Sequence, residues 1–150
     1  TRDSVASRGL GDVYKRQTGD TQLTFAQEIK VDGVIIVSTP QEIALLDVKR
    51  GIRMFDKLKV PILGLVDNMS FFESNDGKSH NIFGEGGVEK VAINFKKKFL
   101  GKIPINIDLR VAADSGKPLF EKNPEHNISK IFFSIGSDPP IKAKGIEPIK

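Results

Sequence analysis

Residues Val34 to Val37 form an unbroken β-branched run without polar alternation, the pattern of a strand covered on both faces inside a parallel sheet. Directly behind it, Thr39-Pro40-Gln41-Glu42 combines a hydroxyl cap, a proline at the first helical position and a glutamate three residues after the cap. That combination predicts a helix start at Thr39. Leu45, Val48, Ile52 and Phe55 then recur at steps of three and four, giving the helix one apolar face. Val60 to Val66 supplies a second buried run, so the order is strand, crossover helix, strand.

The alternation continues to the end of the patterned region. A loop is expected from Asn68 to about Glu85, then a helix marked by Val88, Val91 and Phe95, with Lys96, Lys97 and Lys98 near its negative pole. A short strand from Phe99 to Ile103 precedes Pro104. Asp108 is expected to open a helix that Gly116 and Pro118 close, and Asn123-Pro124 to open a last one with Ile128, Ile131 and Ile135 inward. Upstream, Asp20 can cap a short helix whose Leu23, Ala26 and Ile29 share a face. The fold class is therefore α/β, a partial doubly wound parallel sheet flanked by helices. In such sheets ligands lie beyond the carboxyl ends of the strands, here Ser38 to Gln41, Asp67 to Ser70 and Pro104 to Asp108.

Three segments follow. Residues 1–17 carry scattered Arg and Gly with no period and are expected to be ill-ordered or an artefactual end. Residues 18–135 form the domain, and residues 136–150, rich in Pro, Gly and Lys, are expected to trail as a tail.

Composition narrows the chemistry. The chain contains no cysteine, which excludes disulfides, thiolate catalysis and thiolate-held metal, and no apolar run reaches the ~18 residues of a membrane helix. A cytoplasmic protein is expected, with no membrane partner. A net charge of +4, much of it in one lysine run and the two ends, does not argue for nucleic acid, and a single tyrosine with no tryptophan offers no stacking platform for bases.

Local motifs are weak. Gly77-Lys78-Ser79 has the last letters of a phosphate loop, but Phe72 stands where its first glycine belongs and no helical pattern begins at Lys78. Gly84-Glu85-Gly86-Gly87 lacks the third glycine of a dinucleotide fingerprint, Glu89 standing in its place, and reads as a flexible helix entry. His80 and His126 have no partner spaced for metal binding, and Asp47, Lys49 and Arg50 read as a solvated helix face. The residues alone thus give an α/β domain with a ligand edge, no catalytic group and no metal ligand.

Several motifs in order carry a resemblance: Thr18-Gly-Asp-Thr-Gln-Leu-Thr, Asp32-Gly-Val-Ile-Ile-Val-Ser-Thr-Pro-Gln-Glu-Ile-Ala-Leu-Leu-Asp47, Asp67-Asn-Met-Ser-Phe-Phe72, Ile82-Phe-Gly-Glu-Gly-Gly87, Leu100-Gly-Lys-Ile-Pro-Ile-Asn-Ile-Asp-Leu-Arg110 and Ala113-Asp-Ser-Gly-Lys-Pro118. Together they resemble the Mrp/ApbC family of iron-sulfur cluster carriers, P-loop ATPases related to MinD. The resemblance implies ATP, with Mg, as ligand and substrate, a homodimer formed around ATP, and delivery of clusters to recipient apoproteins. It implies that Asn68 and Pro104 bind the adenine end of the nucleotide, and that Thr18, Gly19 and Asp20 end the switch segment that senses the γ-phosphate.

Two departures qualify it. The family's K-G-G-V-G-K-S phosphate loop and D-x-P-P-G strand have no counterpart, so the chain is expected to be a C-terminal portion, inactive alone, and to bare an apolar sheet edge at Val34 to Val37. The family's C-x-x-C pair is also missing. Glu73-Ser-Asn-Asp-Gly77 stands in that place, with hard oxygen donors that suit an iron-sulfur cluster poorly. Two other readings fit the same fold class. A MinD-like positioning ATPase should end in an amphipathic membrane helix, which the tail lacks, and a non-catalytic interaction module would use the sheet only to dock a partner.

Overall fold

The computed structural model describes residues 31–137, apart from Asn75, together with Thr24. Thr24, within the expected early helix, is helical and exposed. The expectations for residues 1–17, for Thr18, Gly19 and Asp20, for Leu23, Ala26 and Ile29, and for residues 138–150 lie outside the described residues.

The elements run β1 (Val34–Ser38), α1 (Glu42–Lys57), β2 (Ile62–Glu73), β3 (Ser79–His80), α2 (Gly87–Asn94), β4 (Phe99–Ile105), α3 (Ile107–Asp114), α4 (Leu119–Lys122) and α5 (Asn127–Gly136). β2 is central, pairing in parallel with β1 on one side and β4 on the other. This is the expected parallel core, and α1 and α2 are its crossovers. The sheet as a whole is mixed, because β2 runs on past Asn68 into a hairpin and pairs antiparallel with β3 at Phe72 and Glu73. Polar residues after Asn68 predicted a loop; the Phe71-Phe72 pair continues the strand instead, and Gly77, in a left-handed conformation, turns the chain.

One row of the sheet nucleates the core. Ile36, Leu65 and Phe99 lie side by side across β1, β2 and β4 and face the apolar stripes of α1 and α2. Val48 and Ile52 of α1 and Val88, Val91 and Ala92 of α2 close over Leu65 to make one buried cluster, with Leu45 and Phe95 at its margin. On the opposite face α5 packs against β4, its Ile135 approaching Gly101, while Ile35 and Val37 of β1 stay exposed.

Helix starts differ from the sequence reading in a consistent way. The helix after β1 begins at Glu42 with Gln41 as its cap, and Thr39 and Pro40 form the turn before it. The next-to-last long helix is capped by Asn106, whose side chain accepts from the Leu109 amide, while Asp108 sits inside its first turn. Asn123-Pro124 follows the short α4, and α5 starts three residues later under a His126 cap, its Nδ1 accepting from the Ile128 amide. Gly116, left-handed, closes α3 as the sequence implied.

Candidate functional site

The carboxyl ends of β1, β2 and β4 converge on one edge. Asn68 of β2 is half-buried there and pairs in register with Ile103 of β4, so that Pro104 follows on the adjacent strand. Sequence placed Pro104 in a loop; it lies within β4. A proline is tolerated there because the ladder is interrupted. Between Asn68↔Ile103 and Phe72↔Ile105, three residues of β2 face one of β4, and the bulge spares Pro104 the need for an amide donor. Met69 sits in this bulge with φ 55°, a left-handed conformation that costs a non-glycine residue about 1 kcal/mol or more. The buried Ser70 hydroxyl donates to the Ile103 carbonyl at 3.2 Å and ties the bulge down.

Asn68 also borders a groove of about 770 Å3 that follows β1 from Val34 to Thr39 along the flank of α1, with Ala44 and Phe55 in its wall. Its walls are mostly apolar, and the Asn68 amide brings both a donor and an acceptor to one end. Among the described residues β1 pairs only with β2, and Val37, 57% exposed, stands open beside the groove.

Neighbouring positions on a strand face opposite ways, so Asp67 belongs to the other side of the sheet. One step beyond the apolar row, Ser38, Asp67 and Lys102 lie side by side across β1, β2 and β4. Asp67 is 0% exposed and neither carboxylate oxygen has a hydrogen-bond partner among the described residues. Burial pushes its carboxyl up to about 6; Lys102 opposes that rise and Glu89 adds to it. Lys102 itself reaches across to Glu89 of α2 at 3.2 Å. Sequence analysis put Asp67 in the ligand-edge segment and gave it no role. Its signal was available: it is the only charge in the twelve residues Val60 to Phe71.

The hairpin beyond the edge gathers polar side chains. Ser74 Oγ bonds the Asp76 carboxylate and lies 3.3 Å from His80 Nε2, while the Lys78 ammonium also sits on Asp76 at 3.4 Å. All four side chains lie at the surface of the hairpin, and among the described residues no group of three or more His, Cys, Asp or Glu could hold a metal ion. Gly77-Lys78-Ser79 forms the hairpin turn and the start of β3, with no helix behind it to receive a phosphate. Thr18, Gly19 and Asp20 lie outside the described residues. No helix among those residues is long and apolar enough to cross a membrane.

Comparison with known proteins agrees with this architecture. The family described as ParA, NUBPL iron-transfer P-loop NTPase, matches residues 16–138. The iron-sulfur cluster carrier protein of Escherichia coli K12 is 48% identical over 116 residues, 77% of this chain and 31% of its own length. The iron-sulfur cluster transfer protein NUBPL of Dictyostelium discoideum is 43% identical over 122 residues, 81% of this chain and 38% of its own. The chain thus spans about a third of these relatives. A nucleotide-binding protein from Archaeoglobus fulgidus, solved in complex with ADP, superposes with a TM-score of 0.60 at 40% identity, over 67% of this chain and 42% of that one. The Pyrococcus furiosus cell division ATPase MinD shares the fold, with a TM-score of 0.56 at 23% identity over 71% of this chain and 41% of that one. With the parallel core, the crossover helices and the ordered motifs all in place, the chain belongs to the NUBPL-type family of iron-transfer P-loop NTPases, the iron-sulfur cluster carriers.

Proposed function

We propose that this chain supplies the adenine-binding flank of an ATP-binding and ATP-hydrolysing iron-sulfur cluster carrier. The observation that carries the reading is the Asn68–Ile103–Pro104 juxtaposition at the carboxyl edge of a parallel sheet, in a chain whose relatives include an ADP-bound nucleotide-binding protein. Asn68 holds the adenine edge through its amide, and Pro104 lines the base. Thr18, Gly19 and Asp20 act as the end of the γ-phosphate switch. Residues 18–135 belong to the ATPase domain, with residues 1–17 outside it and residues 136–150 as a tail.

The phosphate end needs backbone amides and a lysine arranged as a loop between strand and helix, and this sequence has no such motif. The chain by itself therefore neither turns over ATP nor holds it usefully. ATP with Mg, and a homodimer around it, are features of the complete protein in this reading. Recipient apoproteins take the cluster, which is cargo. The hairpin Ser74, Asp76 and His80 offer oxygen and imidazole donors in place of thiolates, so this chain does not carry the cluster at that position.

Binding of a fluorescent ADP analogue tests this. The isolated chain should show no saturable binding at millimolar nucleotide. Fused behind the N-terminal portion of the Escherichia coli relative it should bind, and Asn68→Ala should weaken that binding about tenfold, the loss of roughly 1.4 kcal/mol. Turnover by the isolated chain that Asn68→Ala abolishes would sink the proposal, as would a fused protein indifferent to Asn68.

A further inference from the structure

The polar row Ser38–Asp67–Lys102 does nothing for nucleotide binding on the Asn68 side, yet it places a fully buried carboxylate beneath the start of α2. Three elements meet there. The Gly87 backbone packs so closely on the β1–α1 turn that an added Cβ would lie 2.8 Å from the Pro40 carbonyl, and α1 presents apolar Leu45 and Val48 to the same face. Lys102 from β4 and Glu89 from α2 are the charged groups acting on Asp67, and Ser38, its neighbour from β1, is uncharged with its hydroxyl turned to the Thr39 carbonyl.

Lys102 has two carboxylates within its compass and satisfies one. In the structure it holds Glu89, fastening the first turn of α2 to the sheet. Lys102 is a strand neighbour in register with Asp67 and already acts on its carboxyl, and its flexible stem gives the ammonium freedom to turn toward it. An unpartnered buried carboxylate is costly when charged and cheap when neutral, so its charge state decides where the ammonium is worth more.

We propose that Lys102 is a two-position latch: it holds Glu89 of α2 while Asp67 is neutral and turns to Asp67 when that carboxyl is charged, releasing the first turn of α2. Because that turn is seated on Pro40, the release loosens the β1–α1 turn at the ligand edge. Charge beneath α2 is thereby read out as mobility beside the groove that follows β1 and α1.

Hydrogen exchange by NMR on the full chain tests the latch, with the Lys90 amide, which donates to the Gly86 carbonyl, as reporter. In the unsubstituted chain its protection, corrected for intrinsic exchange, should fall about tenfold between pH 5 and pH 7.5, the equivalent of one pKa unit of coupling. Asp67→Asn should keep the turn protected at both values, and Lys102→Met should leave it unprotected at both. Glu89→Gln, at a half-exposed side chain, should lower the pH at which the Asp67 carboxyl carbon titrates, because a neighbouring negative charge is gone and Lys102 is then free for Asp67. A Lys90 protection that changes with pH equally in Asp67→Asn overturns the latch. So does a Glu89→Gln titration of Asp67 identical to that of the parent, a readout that survives if Asp67→Asn does not fold.

Discussion

The two helical layers of this molecule are built to different standards. Over β1 and β2, α1 and α2 seal a cluster in which Ile52, Leu65, Val88 and Ala92 are all fully buried. Over β4, the layer of α3, α4 and α5 buries Ala112 and Ile128 but leaves Phe120, Phe132 and Phe133 partly in solvent, Phe120 and Phe133 meeting edge to face at 6.0 Å. The first layer closes tightly over Leu65 but leaves an apolar groove along β1; the second keeps large aromatic surface in solvent.

Truncation in the sealed layer should produce the largest effect. Leu65→Ala, which opens a cavity beneath both helices, is expected to lower unfolding free energy by about 2–5 kcal/mol in urea titrations. A loss below about 1 kcal/mol would mean that the cluster is looser than its burial implies. Next comes Gly87→Ala, whose methyl would meet the Pro40 carbonyl and Leu45; a loss of about 1–3 kcal/mol is expected in the same assay.

Asp67 sharpens the comparison through pH. Its carboxyl keeps a proton up to about 6 in the folded chain, whereas an unfolded aspartate releases it near the ordinary value of 3.8. Between those values the folded state binds more protons, so this group's contribution to stability falls as pH rises from about 4 to about 6 and is level above that. Asp67→Asn should flatten that segment of the stability profile and raise unfolding free energy at pH 7 relative to the parent. An unchanged slope would place the titration elsewhere. The smallest effect belongs to the open layer: Phe133→Ser should alter unfolding free energy by less than about 1 kcal/mol while reducing self-association at high concentration, measured by light scattering.

Much of the sheet could be read from residue patterns because it is built from two strong periodicities. The stripe Leu45, Val48, Ile52 and Phe55 turned inward as its spacing required, whereas the run Val34–Val37 formed a strand whose Ile35 and Val37 stay exposed among the described residues, not the two-sided cover that its unbroken apolar pattern implied. Helix starts were less legible: Thr39, Asp108 and Asn123 all suit a cap, and Gln41, Asn106 and His126 occupy the positions because tertiary packing set where each helix could begin. The β2–β3 hairpin was hidden by its polar composition. At the ligand edge, Asn68 and the neighbourhood of Pro104 were identified through resemblance, and the structure brings them onto adjacent strands. Asp67 escaped because its importance is an absence of partners, a property of packing that no spacing encodes.

The left-handed Met69 gives the ligand edge an unusual economy of parts. A glycine there would relax the bulge and free the Asn68–Met69 peptide, so the substitution should raise thermal stability while loosening the strand end that carries Asn68.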